Sequence, residues 1–426
     1  MVLAAACSSR SGRDEPVKPN IVLVVGDDQG YPYSGFMGDP IVKTPNLDRL
    51  AAGGVVFPTA YVTASTCEPS LRTLLTGGEP FPRFPGQPKP PGSGWGGMNP
   101  EETLAGLLKQ RGYASFQAGK HWQDSYARAG FTEGTKDEHS TGGSFERMMG
   151  GREGLAVGRT TMQPIYDFID RHAEEPFFLY YAPNLPHRPW NAPPKQRAKY
   201  KDVEKELTPG ALGYYAGISW LDDSIGDLVA YLEKKGLRSR TLIVYLSDNG
   251  FEMGPHDTFE PDKIEKGKDS MAEIGFRTPL IFNWPGHIRE GVVRPDLVSS
   301  LDLFPTLLGF AGAPIPTSAV GLDLRPALES GTPVPRAELI GVMQKVRPVA
   351  VDRTPLPWAK RAYYIRTPQW HYLQYPEEKR EQLFDIQADP REQHDLGATH
   401  PEQIEAFRKQ IEAWKVASPP PASPAS

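Results

Sequence analysis

Cysteine is almost missing from this chain. Its 426 residues contain only Cys7 and Cys67, so there is no disulfide framework and cysteine usage does not report a redox compartment. Long apolar runs are missing too. None approaches the roughly 20 residues of a membrane-spanning helix, so no transmembrane segment is expected. Nor does either sign of charge dominate: 47 Lys and Arg stand against 52 Asp and Glu, a net charge of −5. That balance argues against a nucleic-acid partner, which would need a basic surface. What the chain has in excess is glycine and proline, 42 and 44 residues. Together they make about a fifth of the chain against an ordinary share near 12%, which predicts many turns and long loops, where sites usually lie. A hydrophobic content of 39% is enough for a large core.

The run NIVLVV at 20–25 is short, apolar and β-branched, and it stops at Gly26, Asp27 and Asp28, as a buried parallel strand would. Thr44-Pro45 reads as a helix start with proline at the first helical position, and NLDRLAAGG ends that helix at glycine. A helix over 103–111 leads into YASFQAG, PIYDFIDRHAEE into PFFLYYAP, and an amphipathic stripe from Tyr215 to Leu232 into TLIVYLSDNG. This alternation predicts an α/β/α sandwich around a mostly parallel sheet. Near residue 335 the pattern becomes short alternating segments, ELIGVM, AYYIRT, HYLQY and QLFDI, with one helix near 401–415, which predicts a small antiparallel C-terminal subdomain. The expected organisation is a tether or signal remnant at 1–17, a catalytic domain at 18–335, an α+β subdomain at 336–418 and a Pro/Ser/Ala tail at 419–426. The opening MVLAAACSSRSG fits two readings: an ordinary terminus, or the end of a bacterial lipoprotein signal with a lipid anchor at Cys7.

Asp27-Asp28 and Asp248-Asn249 each follow a predicted strand. Singly, each pair also fits a strand-capping turn. Parallel strands, however, open their carboxyl ends onto one crevice, where three carboxylates and an amide oxygen form a hard-oxygen set suited to Ca²⁺ or Mg²⁺ and poorly suited to Zn²⁺. In STCEPSLRTLLTG, Pro69 fits a first helical turn and puts Cys67 near the helix amino terminus, where negative charge is favoured. The plain alternative for Cys67 is a small buried hydrophobe.

These strings together resemble the sulfatase family of the alkaline-phosphatase-like superfamily. The signature C-x-P-S-R-x-x-L-x-T-G is met by Cys67, Pro69, Ser70, Leu74, Thr76 and Gly77. PNIVLVVGDD, SDNG, Gly119-Lys120, APNLPHRP around His187 and KDSMAEIGFRTPLIFNWPG around Lys268 follow in the family's order, and weaker agreement runs on through LFDIQADPREQHDL. There are two departures. Leu71 stands where the family has arginine and Arg72 comes one residue late, about 100° around a helix. GKWH is written GKHW, so Trp122 stands where a histidine is expected and His121 adjoins Lys120.

The resemblance implies a sulfuric ester hydrolase acting on a sulfated small molecule or polysaccharide, exported to the periplasm or lipid-anchored, with Cys67 oxidised to formylglycine by a maturation enzyme. One hydroxyl of the aldehyde hydrate would attack sulfur and the other would later lose its proton to expel sulfate. Asp27, Asp28, Asp248 and Asn249 would hold Ca²⁺, with Mg²⁺ as the alternative. Lys120 and Lys268 would neutralise the sulfate, His187 would protonate the leaving oxygen, and Arg72 would hold the hydrate. His121 is either the base of the elimination step or a loop histidine beside Lys120. His256 is a further pocket-lining candidate. Loops 78–100, 123–160 and 250–267 would set specificity. Two other readings stay open: a phosphoryl or phosphonate ester hydrolase on the same scaffold, and a catalytically silent binding protein.

Overall fold

The computed structural model describes residues 18–87, 98–122, 125–135, 146, 149–251, 267–349 and 356–417. Cys7, the 1–17 tether, His256 and the 419–426 tail lie outside the described residues. The strands in chain order are β1 (Asn20–Gly26), β2 (Val55–Phe57), β3 (Ala60–Tyr61), β4 (Ala114–Gly119), β5 (Glu133–Gly134), β6 (Phe177–Ala182), β7 (Thr241–Ser247), β8 (Leu280–Asn283), β9 (Val292–Val293), β10 (Val298–Ser299), β11 (Leu339–Val346), β12 (Ala359–Arg366), β13 (Trp370–Tyr375) and β14 (Arg380–Asp385).

The main sheet has the order β5-β4-β6-β1-β7-β8-β2-β9. β5, β4, β6, β1 and β7 are mutually parallel, and β8 runs antiparallel to both its neighbours. β3 and β10 form a separate parallel pair. The central strands β1, β6 and β7 are buried on both faces because their residues are almost all apolar. Ile21, Leu23 and Val25 enter one core with Leu71, Leu74 and Leu75 of the helix Cys67–Thr76. Val22 and Val24 enter the other with Leu221, Ile225, Leu228 and Leu232 of the long helix Pro209–Lys234. The alkaline-phosphatase-like α/β/α sandwich expected from the sequence is the fold observed.

Helix ends differ in detail from the sequence reading. Thr103 caps its helix by accepting from Gly106 N at 3.1 Å, but that helix stops at Lys109. Thr44 makes no side-chain cap; its hydroxyl donates to Asp48. The amino-terminal amides of Asn46 and Leu47 are instead satisfied by Asp222 of the long helix, a partner 176 and 175 residues away.

The C-terminal sheet β11-β12-β13-β14 is antiparallel throughout. One face packs Val342, Tyr363, Tyr372 and Leu383 on Ile404, Phe407 and Ile411 of the helix Pro401–Val416. Met343, Tyr364, Leu373 and Phe384 of the other face join the core of the main sheet. No helix among the described residues is long and apolar enough to cross a membrane.

Candidate active site

Parallel pairing brings the carboxyl ends of β1, β4, β6 and β7 to one edge. Asp27 and Asp28 leave β1 there, Lys120 leaves β4, the His187 loop leaves β6, and Asp248-Asn249 leave β7. Asp28 turns sharply, with φ of 66°, a left-handed conformation that non-glycine residues rarely hold without support. The support is visible. Asp28 N donates to Asp248 Oδ1 at 3.0 Å, and the Tyr214 hydroxyl donates to Asp28 O at 2.8 Å while accepting from Gly30 N at 3.0 Å.

One ligand atom each from Asp27, Asp28, Asp248 and Cys67 lie within 4.8 Å of one another, all buried. Lys120 Nζ bonds Asp27 and lies 3.1 Å from Asp248 Oδ2. Lys268 Nζ sits 2.8 and 3.0 Å from the two oxygens of Asp28. Asn249 Nδ2 donates to Asp28 Oδ1 at 2.7 Å. Its Oδ1 and Asp27 Oδ2 are buried without a hydrogen-bond donor among the described residues. Buried acceptors rarely stay unsatisfied. Two such oxygens among three carboxylates fit a hard divalent cation, Ca²⁺ or Mg²⁺.

The charges are strongly coupled. Burial pushes the Asp28 carboxyl up, but Lys268, His187 and Lys120 outweigh it and hold it well below the usual carboxylate range. Burial also pushes Asp248 up, and there it prevails against Lys120. Burial, then Asp248, pushes the Cys67 thiol up, so the unmodified sulfur is a protonated thiol and a poor nucleophile. Burial works against the charge on Lys120 and Lys268, yet Asp248 and Asp27 in the first case and Asp28 in the second raise both. Lys120 is buried and Lys268 nearly so, which leaves two fixed positive ends beside a carboxylate cage, suited to a tetrahedral oxyanion.

His187 stands at the rim. Its Nδ1 is 2.7 Å from Arg188 O, a carbonyl that only accepts, so Nδ1 carries the proton and Nε2 faces Asp28 Oδ2 at 3.7 Å. His121 is buried rather than solvent-facing, its ring edge-on to Phe131. Trp122 packs on the main core. Arg72 points along its own helix and past its end: it bonds Pro80 O, and Glu68 at 3.5 Å. The guanidinium of Arg188 lies over Trp190 at 5.3 Å.

Sequence reasoning missed the residues that hold this site from behind. Tyr214 lies just outside the amphipathic stripe read from Tyr215 onward, and its hydroxyl role had no sequence signal. The Lys268 segment is gripped by the C-terminal sheet: Arg347 N donates to Asp269 O at 2.7 Å and Met271 N to Arg347 O at 3.0 Å. Glu392 accepts from Glu273 N at 2.7 Å.

The family model described as Sulfatase matches residues 19–313, more than half of the chain, and one described as N-sulphoglucosamine sulphohydrolase, C-terminal, matches 266–415. The chain is 33% identical over 379 residues to N-acetylgalactosamine-6-sulfatase of Sus scrofa, covering 78% of this chain and 69% of that protein. It is 34% identical over 366 residues to human arylsulfatase A, covering 75% and 70%. Among solved structures, Ps i-CgsB in complex with k-i-k-neocarrahexaose superposes with a TM-score of 0.74 at 26% identity, covering 94% of this chain and 93% of that one. With these relatives, and with the cysteine, the acidic cluster and the two lysines gathered at one strand edge, the chain belongs to the sulfatase family and is a sulfuric ester hydrolase.

Proposed function

We propose that the enzyme removes sulfate from a polysaccharide sugar, with Cys67 converted to formylglycine and one Ca²⁺ or Mg²⁺ held by Asp27, Asp28, Asp248 and Asn249. The observation that carries the reading is the meeting of three carboxylates and Cys67 within 4.8 Å, with two buried oxygens in the cluster that lack donors among the described residues. A cation held there would supply Lewis-acid polarisation of a sulfate oxygen, and the converted Cys67 would supply a hydroxyl nucleophile in place of the thiol.

The chain's own groups supply the rest. Lys120 and Lys268 bind and neutralise the sulfate oxygens, already fixed by Asp27, Asp248 and Asp28. His187 keeps one proton on Nδ1 through Arg188 O and delivers another from Nε2 to the departing sugar oxygen. His121, buried beside Lys120, is the base that takes a proton in the elimination. Arg72 acts indirectly, by tying the helix that begins at Cys67 to Pro80.

The polysaccharide assignment is supported by the carrageenan-type hexasaccharide of the solved relative and by the galactosamine sulfatases among the sequence relatives. We assign the catalytic unit to 18–335. A maturation enzyme that oxidises Cys67 is the implied partner, and the MVLAAACSSRSG string supports export with a lipid anchor at Cys7. The test is peptide mass spectrometry of the Cys67 segment from a host that matures sulfatases, together with sulfate release from neocarrageenan and glycosaminoglycan oligosaccharides. An aldehyde mass with sulfate release supports the reading; a plain thiol in active enzyme overturns it.

A further inference from the structure

A second cavity, of about 340 Å³, opens between the helix Gln163–Arg171, the short helix Pro194–Arg197 and the middle of Pro209–Lys234. Its inner end is Arg159. The preceding Gly158 is wedged against β6 and the start of the His187 loop: a Cβ there would come within 2.3 Å of the Tyr181 hydroxyl and 2.9 Å of Pro183. The backbone can therefore pass this close only as glycine, at φ of 79°, and the wedge sets Arg159 beside the carboxyl end of β6. The Arg159 side chain is partly buried and near enough to Asp27 to feel its charge, although burial dominates and weakens its hold on the proton. Its guanidinium lies over Trp220 at 5.2 Å. Its Nε is buried and has no acceptor among the described residues.

The outer end of the cavity is polar and reaches the surface. Lys195 is 77% exposed and 3.5 Å from Asp223, which also takes Lys199 Nζ at 2.7 Å and Gln196 Nε2 at 2.8 Å. Asp227 lines the same wall and is exposed. Two cations and two carboxylates on the lining cancel, so the cavity does not select an ion. Alternating donors and acceptors over aromatic and apolar walls, Trp220 and Tyr166 among them, suit a neutral ring covered with hydroxyls.

Resting on the polysaccharide reading above, we infer that this cavity is a second sugar subsite: it takes an uncharged, hydroxyl-rich ring of the chain that bears the scissile sulfate, with Arg159 donating to a ring or hydroxyl oxygen. The cavity runs from Gly158 and Arg159, packed beside the carboxyl end of β6, the sheet edge at which the acidic centre is built, to the surface at Lys195 and Asp227.

Two measurements test it on the full chain. The first is calorimetric binding of desulfated neocarrageenan and desulfated glycosaminoglycan hexasaccharides, which involves no sulfate chemistry. Binding of at least one is expected, weakened about tenfold in Arg159→Met and in Trp220→Phe, the loss of one buried hydrogen bond or ring contact. The second is the rise of kcat/KM from disaccharide to hexasaccharide in the sulfated series, which should flatten in both variants by a larger factor than any change on the disaccharide. Failure of every desulfated hexasaccharide to bind, or equal affinity in both variants at unchanged thermal stability, overturns the subsite. If wild-type enzyme releases no sulfate from any ester while the desulfated chains bind and the variants lose them, the subsite stands and the proposed reaction falls.

Discussion

Glu273 and Arg366 form a buried two-point ion pair, Nε and Nη2 lying 3.0 and 3.2 Å from the carboxylate oxygens. Glu273 begins the short helix that follows the Lys268 turn and Arg366 ends β12, so the pair ties the lysine segment to the C-terminal sheet. Tyr61 donates to the same carboxylate at 2.6 Å. The small sheet is thus part of what holds the active-site lysine in place.

The pair predicts a pH dependence. Burial alone would push the Glu273 carboxyl up, but Arg366 and Arg277 outweigh it and bring it from 4.5 to about 2. A depressed carboxyl contributes stability above its unfolded pKa and loses it as pH falls through the folded one, here between about 4.5 and 2. That contribution is roughly 3 kcal/mol. Urea unfolding of wild type and Glu273→Gln should therefore differ most near neutral pH and converge towards pH 2. A constant difference across this window contradicts the assignment.

The second prediction concerns the cation. Chelator-treated enzyme should bind Ca²⁺ or Mg²⁺ in a calorimeter, and Asp28→Asn or Asn249→Ala should weaken binding by roughly 10- to 100-fold through loss of ligand charge or of a ligand oxygen. Unchanged affinity in both variants would remove these residues from the metal site.

Arg72 supplies a third. Since it bonds Pro80 O and Glu68, Arg72→Ala should cost roughly 1–3 kcal/mol of stability by orphaning a buried carbonyl. Turnover per folded molecule should fall by less than about tenfold. A much larger fall at unchanged melting temperature would show that the guanidinium reaches the reacting groups during turnover.

How much of this was legible depended on whether a feature is local. NIVLVV followed by Gly-Asp-Asp marks a buried strand and its ligand end without any long-range knowledge, and so does TLIVYLSDNG. The parallel sheet then follows from the alternation, and the convergence of Asp27, Asp28, Asp248 and Lys120 follows from the sheet. Features set by distant partners were not legible. Thr44 has the right residue type for a cap, but Asp222 already fills the position. Arg72 and the family's arginine position differ by one residue, and only the packing of Pro80 shows where the side chain goes. Glu392 and Arg347 sit in segments whose sequence speaks of strands and turns, with nothing to indicate that they brace a lysine segment near residue 268.

The last prediction isolates the histidine. With Nδ1 committed to Arg188 O and Nε2 facing the site, the proposed task of His187 is to protonate the oxygen that leaves with the sugar. A sugar alkoxide is a poor leaving group and needs that proton, whereas a nitrophenolate departs unaided because its charge is delocalised and its conjugate acid is far more acidic than an alcohol. His187→Ala should therefore slow sugar sulfate hydrolysis by about 10²- to 10⁴-fold, the usual contribution of a positioned general acid, and 4-nitrophenyl sulfate hydrolysis by much less. Equal losses on both esters would mean that His187 binds sulfate rather than serving the leaving group. The acid would then have to be sought elsewhere on the rim.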